Sequence, residues 1–317
     1  MSPEISFFPL PLPDELFDSV VYRYHQLSGN VNVQNTFEAL FGKSNTVAPR
    51  LMTASMDAMF KRIPAGIFTN SDELIDQLTL VPAFAAIFTG DQMSRVRASS
   101  HRSTMGVTTL YRSPLRVIHL QLHCCPMCIQ EEVERIGVAY WHRSHQLDGV
   151  VVCHLHGCDL ISRCPHCSRP VRTERSFDLP SPLCHECNKA LPTVFGYPES
   201  VRELAVWAHD ALSSNIPTDN ENWLAMEVLQ RTQGESEGFC ADILKRYGKR
   251  YCESEKKPYY SLRGNWLNAA YKPHRLYDSW GRWTLKLRSL TDSLIVAHSL
   301  FDSWEAMTPP DSDRHAA

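Results

Sequence analysis

The chain has 317 residues, 43% hydrophobic and 21% charged, a balance typical of globular proteins that bury a core. Its formal net charge of −3 provides no overall attraction to nucleic acid. No apolar run approaches the roughly 20 residues of a membrane span, and the proline-rich start lacks the basic residues of a secretory signal. We therefore predict a cytoplasmic protein with no membrane partner, whose cysteines bind metal rather than form disulfides.

The first 119 residues are predicted to form a small helical domain. Asp14 precedes apolar residues at helical spacing, which predicts that it caps a helix ending near Gly29. A second helix is predicted over 33–41, because Gly42 follows it as a C-terminal cap. Weaker helical patterns follow at 72–80, 82–88 and 91–100.

Between residues 120 and 196, closely spaced cysteine and histidine pairs predict a small α+β module stabilised by two zinc ions. The pairs, each separated by two residues, are Cys125 with Cys128, Cys153 with His156, Cys164 with Cys167, and Cys184 with Cys187. This spacing lets one tight turn direct two side chains at one ion, and two such turns complete a tetrahedron. A helix at 129–136 and a short strand at 150–153 are predicted within the module.

Several neighbouring side chains remain open as substitute ligands: His123, Cys124, His154, Cys158, His166 and His185. Of these, His154 is expected to point away from the Cys153/His156 pair. Because each predicted site fills four positions with protein atoms, a catalytic zinc with an open position is disfavoured. Acidic pairs at 14–15, 72–73 and 131–132 are interpreted as partners of helix dipoles, and no catalytic motif is found. The sequence therefore predicts a binding protein rather than an enzyme.

Helical periodicity returns after Pro198 and predicts a C-terminal helical region over 197–307, followed by a disordered tail at 308–317. One predicted helix carries Val201, Leu204, Ala205, Ala208 and Leu212 on a single face.

Positive charge is concentrated in two stretches. No acidic residue lies between Asp91 and Glu131, and a second basic stretch begins at Lys245. We predict DNA contacts in these stretches by Arg95, Arg97, Arg102, Arg112, Arg116, Lys245, Lys249, Arg250, Lys256, Lys257 and Arg263. The alternative interpretation is a solvated charged face.

The order of motifs resembles a known family. The chain reads P-D-E-L at 13–16, C-P-M-C at 125–128, Y-W at 140–141, H-Q-L-D-G at 145–149 and C-H-L-H-G at 153–157. These residues are similar to the TniQ family, whose TnsD branch selects target sites for transposons that also encode the AAA+ regulator TnsC. The resemblance covers residues 7–190.

This resemblance implies an N-terminal helix-turn-helix, tandem zinc fingers and a role in transposition target-site selection. The expected partners are double-stranded DNA at an attachment site and a TnsC-type AAA+ ATPase. An alternative within the family is an adaptor bound to an RNA-guided CRISPR effector complex, which recruits TnsC without reading DNA itself. A protein–protein scaffold and a zinc hydrolase are the alternatives from other classes.

Overall fold

The computed structural model describes residues 5–42, 55–86, 90–101, 121–172, 178–213 and 290–301, together with 230–231, 241–243, 245–248, 251 and 306. Helices dominate these residues, as the sequence predicts. The predicted tail at 308–317 lies outside them. So do the predicted DNA contacts Arg102, Arg112, Arg116, Lys249, Arg250, Lys256, Lys257 and Arg263.

The chain begins with two helices, α1 (Phe17–Ser28) and α2 (Val33–Phe41). The predicted bounds of α2 are confirmed: the Asn32 side chain accepts a hydrogen bond from Asn35 N, and Gly42 closes the helix with φ 73°. Gly29 ends α1 in the left-handed conformation, as predicted. The prediction that Asp14 caps α1 is wrong, because Leu16 occupies the N-cap position and makes no side-chain cap.

Three further helices complete the N-terminal part: α3 (Met56–Phe60), α4 (Ser71–Leu78) and α5 (Gly90–His101). The stretch Val81–Ala86 forms a 3₁₀ helix at the position where an α-helix was predicted. Leu74, Ile75 and Leu78 on α4 are fully buried, which places this helix in the same core as α1 and α2.

The cysteine-rich stretch contains one regular helix, α6 (Pro126–Ile136), and a short 3₁₀ turn at Ser144–Gln146. The predicted strand at 150–153 is reduced to a single bridge between Val152 and Asp159. In the described residues all β structure consists of such isolated bridges. Two further helices follow, α7 (Glu199–Ala211) and α8 (Leu290–Leu300), and α8 packs on α7.

The predicted apolar face of α7 is confirmed, because Val201, Leu204, Ala205, Ala208 and Leu212 are all at most 3% exposed. These residues join the same hydrophobic core as the N-terminal helices. Among the described helices, none has both the length and the apolar character needed to cross a membrane.

Candidate metal centre

The first predicted set of ligands comes together at one point. His156 Nδ1 lies 3.5 Å from Cys125 Sγ, 3.4 Å from Cys128 Sγ and 3.5 Å from Cys153 Sγ. The Cys128 and Cys153 sulfurs are 3.6 Å apart. Zinc bonds of about 2.3 Å to sulfur and about 2.0 Å to nitrogen give tetrahedral edges of roughly 3.5–3.8 Å. This first quartet therefore has the size and donor chemistry that fit a zinc ion.

Local sequence explains how the first quartet forms. Cys125 is the N-cap of α6, and its sulfur accepts a hydrogen bond from Cys128 N, so the turn that starts the helix also brings both thiols together. The second turn closes through Gly157, whose N–H donates to Cys153 O with φ 68°. Glu131 lies 2.9 Å from His156 Nε2 and orients the ring so that Nδ1 faces the sulfurs.

The second predicted set forms a similar arrangement with four sulfurs. Cys164 and Cys187 are 3.7 Å apart, as are Cys167 and Cys184. Each turn is completed by a residue with positive φ, Ser168 at 60° and Asn188 at 55°. All four ligand atoms lie within 4.8 Å of one another, so this second quartet can also hold a metal ion.

The substitute ligands lie beside the quartets rather than in them. Cys158 Sγ is 3.2 Å from Cys125 Sγ, which makes it the nearest extra thiol. Burial raises the pKa of Cys124 to about 12, so this residue stays a protonated thiol. His166 Nε2 is 3.2 Å from a backbone carbonyl, that of Ala190.

A buried polar network adjoins the first quartet. His142 lies between two carboxylates, with Nε2 2.5 Å from Glu132 Oε1 and Nδ1 3.5 Å from Asp14 Oδ2. Burial alone would favour the neutral ring, but these two acids raise the pKa of His142 to about 10. The two carboxylates therefore favour the imidazolium form of His142 at neutral pH, although one donor atom from each of Cys128, Glu132 and His142 lies within 4.8 Å of the other two.

Asp14 connects the segment before α1 to the cysteine-rich stretch through hydrogen bonds and ion pairs. Burial opposes its charge, yet His142, Arg143 and Ser144 together hold the pKa of Asp14 well below its usual range. Its carboxylate accepts a 2.6 Å hydrogen bond from Ser144 Oγ, and its carbonyl accepts from Arg143 N. Arg143 in turn donates to the carbonyls of Asp76 and Thr79.

The dipole interpretation of the acidic pairs is thus wrong for Asp14, Glu15 and Glu132. The side chains of all three are at most 7% exposed and contact cationic side chains, Glu15 with Arg23 at 2.7 Å. Sequence reasoning missed this network: Asp14 and Glu15 lie in the motif at 13–16, but Glu132, His142, Arg143 and Ser144 lie between the motifs. The pair at 72–73 does lie in the first turn of a helix, α4, as predicted.

The first quartet and the buried network lie in a stretch that matches one protein family. Residues 6–160 match the family model TniQ. This part of the chain is a TniQ domain. Among curated proteins, no match to the chain was found. TniQ is a non-enzymatic accessory domain of transposition, so the chain is a transposition-associated protein.

The first quartet and the buried network both lie inside the TniQ domain, whereas the second quartet lies beyond its last matched residue. Among the predicted DNA contacts, Arg95 is exposed on α5 and Lys245 is also exposed. Arg97, two residues from Arg95 on the same domain, instead pairs with Asp76 at 2.7 Å and Asp72 at 3.4 Å on α4.

Proposed function

We propose that this protein selects the target site of a transposon. It binds double-stranded DNA at an attachment site and recruits a TnsC-type AAA+ ATPase to it. The observation that carries the proposal is the TniQ domain at residues 6–160. In this proposal the two quartets hold two zinc ions as tandem fingers, and α1 and α2 act as a helix-turn-helix-like unit. The boundaries 1–119, 120–196 and 197–307 are the proposed domains.

The second quartet supports a role in holding DNA. Beside its turns lie exposed cations that the sequence-based set did not include, namely Arg163, Arg169 and Lys189. Four thiolates on a zinc ion give a net charge of 2−, so nearby cations are needed before such a surface can approach phosphates. We add these three residues to the proposed phosphate contacts, beside Arg95 and Lys245.

The function is tested with zinc-loaded protein and a library of double-stranded fragments spanning the host genome. We expect one discrete site to be selected, with an affinity that falls as salt rises from about 50 to 200 mM. Added TnsC should then be retained on the selected fragment only when this protein is present. Uniformly weak binding to every fragment, with TnsC still bound by this protein in solution, would favour an adaptor of an RNA-guided complex.

Two arginines on α5 distinguish DNA contact from structural pairing. Arg95→Ala is expected to lower the slope of log affinity against log salt by about 0.9, because one phosphate contact is lost. Arg97→Ala is the matched control, since it removes the same charge from the same helix. Its guanidinium is already occupied by Asp72 and Asp76, so the slope should not change. Equal slopes for wild type and Arg95→Ala would remove Arg95 from the DNA surface.

A further inference from the structure

Beside the first quartet lies a second group of metal-binding side chains. One donor atom from each of His145, Cys153 and His154 lies within 4.8 Å of the other two. Cys153 is already a ligand of the first quartet, whereas the two histidines are not. The group therefore shares one sulfur with the first quartet and adds two imidazoles.

The burial of His145 is the first sign that this group has a ligand. Its side chain is 1% exposed, and neither Nδ1 nor Nε2 makes a hydrogen bond of normal geometry among the described residues, although the ring interacts with the Cys153 sulfur. A buried ring with two unsatisfied nitrogens is costly unless something else satisfies it. The ring packs against that of His142, with centroids 4.7 Å apart, which restrains its orientation.

A hydrogen bond from His154 to Ser144 fixes the tautomer of His154 that can bind a metal ion through Nε2. Ser144 Oγ donates its only hydrogen to the ionised Asp14, at 2.6 Å, and therefore can only accept from His154 Nδ1 at 3.3 Å. This places the proton on Nδ1 and leaves Nε2 with a free lone pair. Metal-ligating histidines usually donate a hydrogen bond from the nitrogen that does not bind the metal. Here the acceptor is the Ser144 hydroxyl, which in turn donates to the Asp14 carboxylate. His209 stacks on the ring at 4.3 Å and restrains its orientation.

We propose that His145, His154 and the shared Cys153 thiolate bind a third zinc ion. The Cys153 sulfur would bridge this ion and the ion of the first quartet, each bond using a different lone pair. Nitrogen and thiolate donors suit zinc, and water fills the fourth position. His142 takes no part because its two ring nitrogens face carboxylates, Nε2 at 2.5 Å from Glu132 and Nδ1 at 3.5 Å from Asp14.

The proposal is tested by counting metal ions on the full chain after exhaustive dialysis, using native mass spectrometry. We expect three zinc ions per chain in the wild type, two in His154→Ala, and three in the control His209→Ala. The control removes a ring that stacks on His154 but supplies no donor to the group. Cadmium NMR of the cadmium-loaded protein should also show coupling between two ions through their common sulfur, and His154→Ala should abolish it.

Two zinc ions in the wild type, or no change in His154→Ala, would overturn the third site. His145 would then be a ring that packs against the Cys153 sulfur without binding a metal. Fewer than two ions would instead contradict the paired zinc quartets, so the two failures are distinguishable. Neither result depends on DNA binding or on TnsC.

Discussion

Replacing Cys128 with serine is expected to remove the zinc ion of the first quartet and to unfold the stretch 121–160 around it. Cys128 is 3% exposed, and its sulfur lies 3.4 Å from His156 Nδ1 and 3.6 Å from Cys153 Sγ. Zinc contributes about 10–16 kcal/mol in comparable small sites. That is as large as the whole free energy of unfolding of an ordinary domain, about 5–15 kcal/mol. Zinc content should fall by at least one ion per chain, and the helical circular-dichroism signal should fall with it.

Cys158→Ser is the matched control for this prediction. It makes the same chemical change to an equally buried thiol, 3.2 Å from Cys125 but outside the quartet. We expect zinc content to be unchanged and the free energy of unfolding to drop by only about 1–3 kcal/mol, the cost of a buried hydroxyl without a good partner. If instead Cys158→Ser lost the ion and Cys128→Ser kept it, Cys158 would be the ligand and the assignment of Cys128 would be wrong.

The second large effect is expected from Glu132→Gln, which removes one charge from the buried pair with His142. The Glu132 side chain is 6% exposed. Without its negative charge the buried imidazolium of His142 loses one of its two carboxylate partners, which destabilises the folded state. We expect the free energy of unfolding of the zinc-loaded protein to fall by about 3 kcal/mol in urea titrations at neutral pH. Glu134→Gln on the same helix is the control, because this exposed residue contacts Gln130 only by a surface hydrogen bond. It should change stability by less than about 0.5 kcal/mol.

The same pair predicts the direction of the pH dependence. Since folding raises the pKa of His142 from 6.5 to about 10, its stabilising contribution is complete below pH 6.5. The contribution is lost as the pH rises toward 10, so wild-type stability should decline over that range. Glu132→Gln should show a shallower decline, because its His142 is less basic. A variant that declines as steeply as the wild type would show that His142 is not the titrating group.

Local patterns were sufficient to predict several elements. The bounds of α2 depend on Asn32 and Gly42, which cap the helix from adjacent positions. The ligand pairs within both quartets follow from two-residue spacing, because a short turn brings its two ligands together without help from the rest of the chain. The sequence predicts the start of α6 at 129, three residues after its observed start at Pro126, because Cys125 acts as both helix cap and predicted ligand.

The sequence by itself determined the helical character, the membership of the two quartets and the resemblance to TniQ, since each depends on neighbouring residues or short motifs. The tertiary structure decided the roles of the buried charges. Asp14 is a plausible helix cap on its own, but the folded chain brings it to Ser144 and His142, where the low polarity of the interior makes ion pairing stronger than a cap. The metal-binding role that we propose for His145 and His154 likewise depends on the tertiary structure. Their burial and contacts depend on residues that are distant in the sequence, and such contacts cannot be predicted from the spacing of motifs.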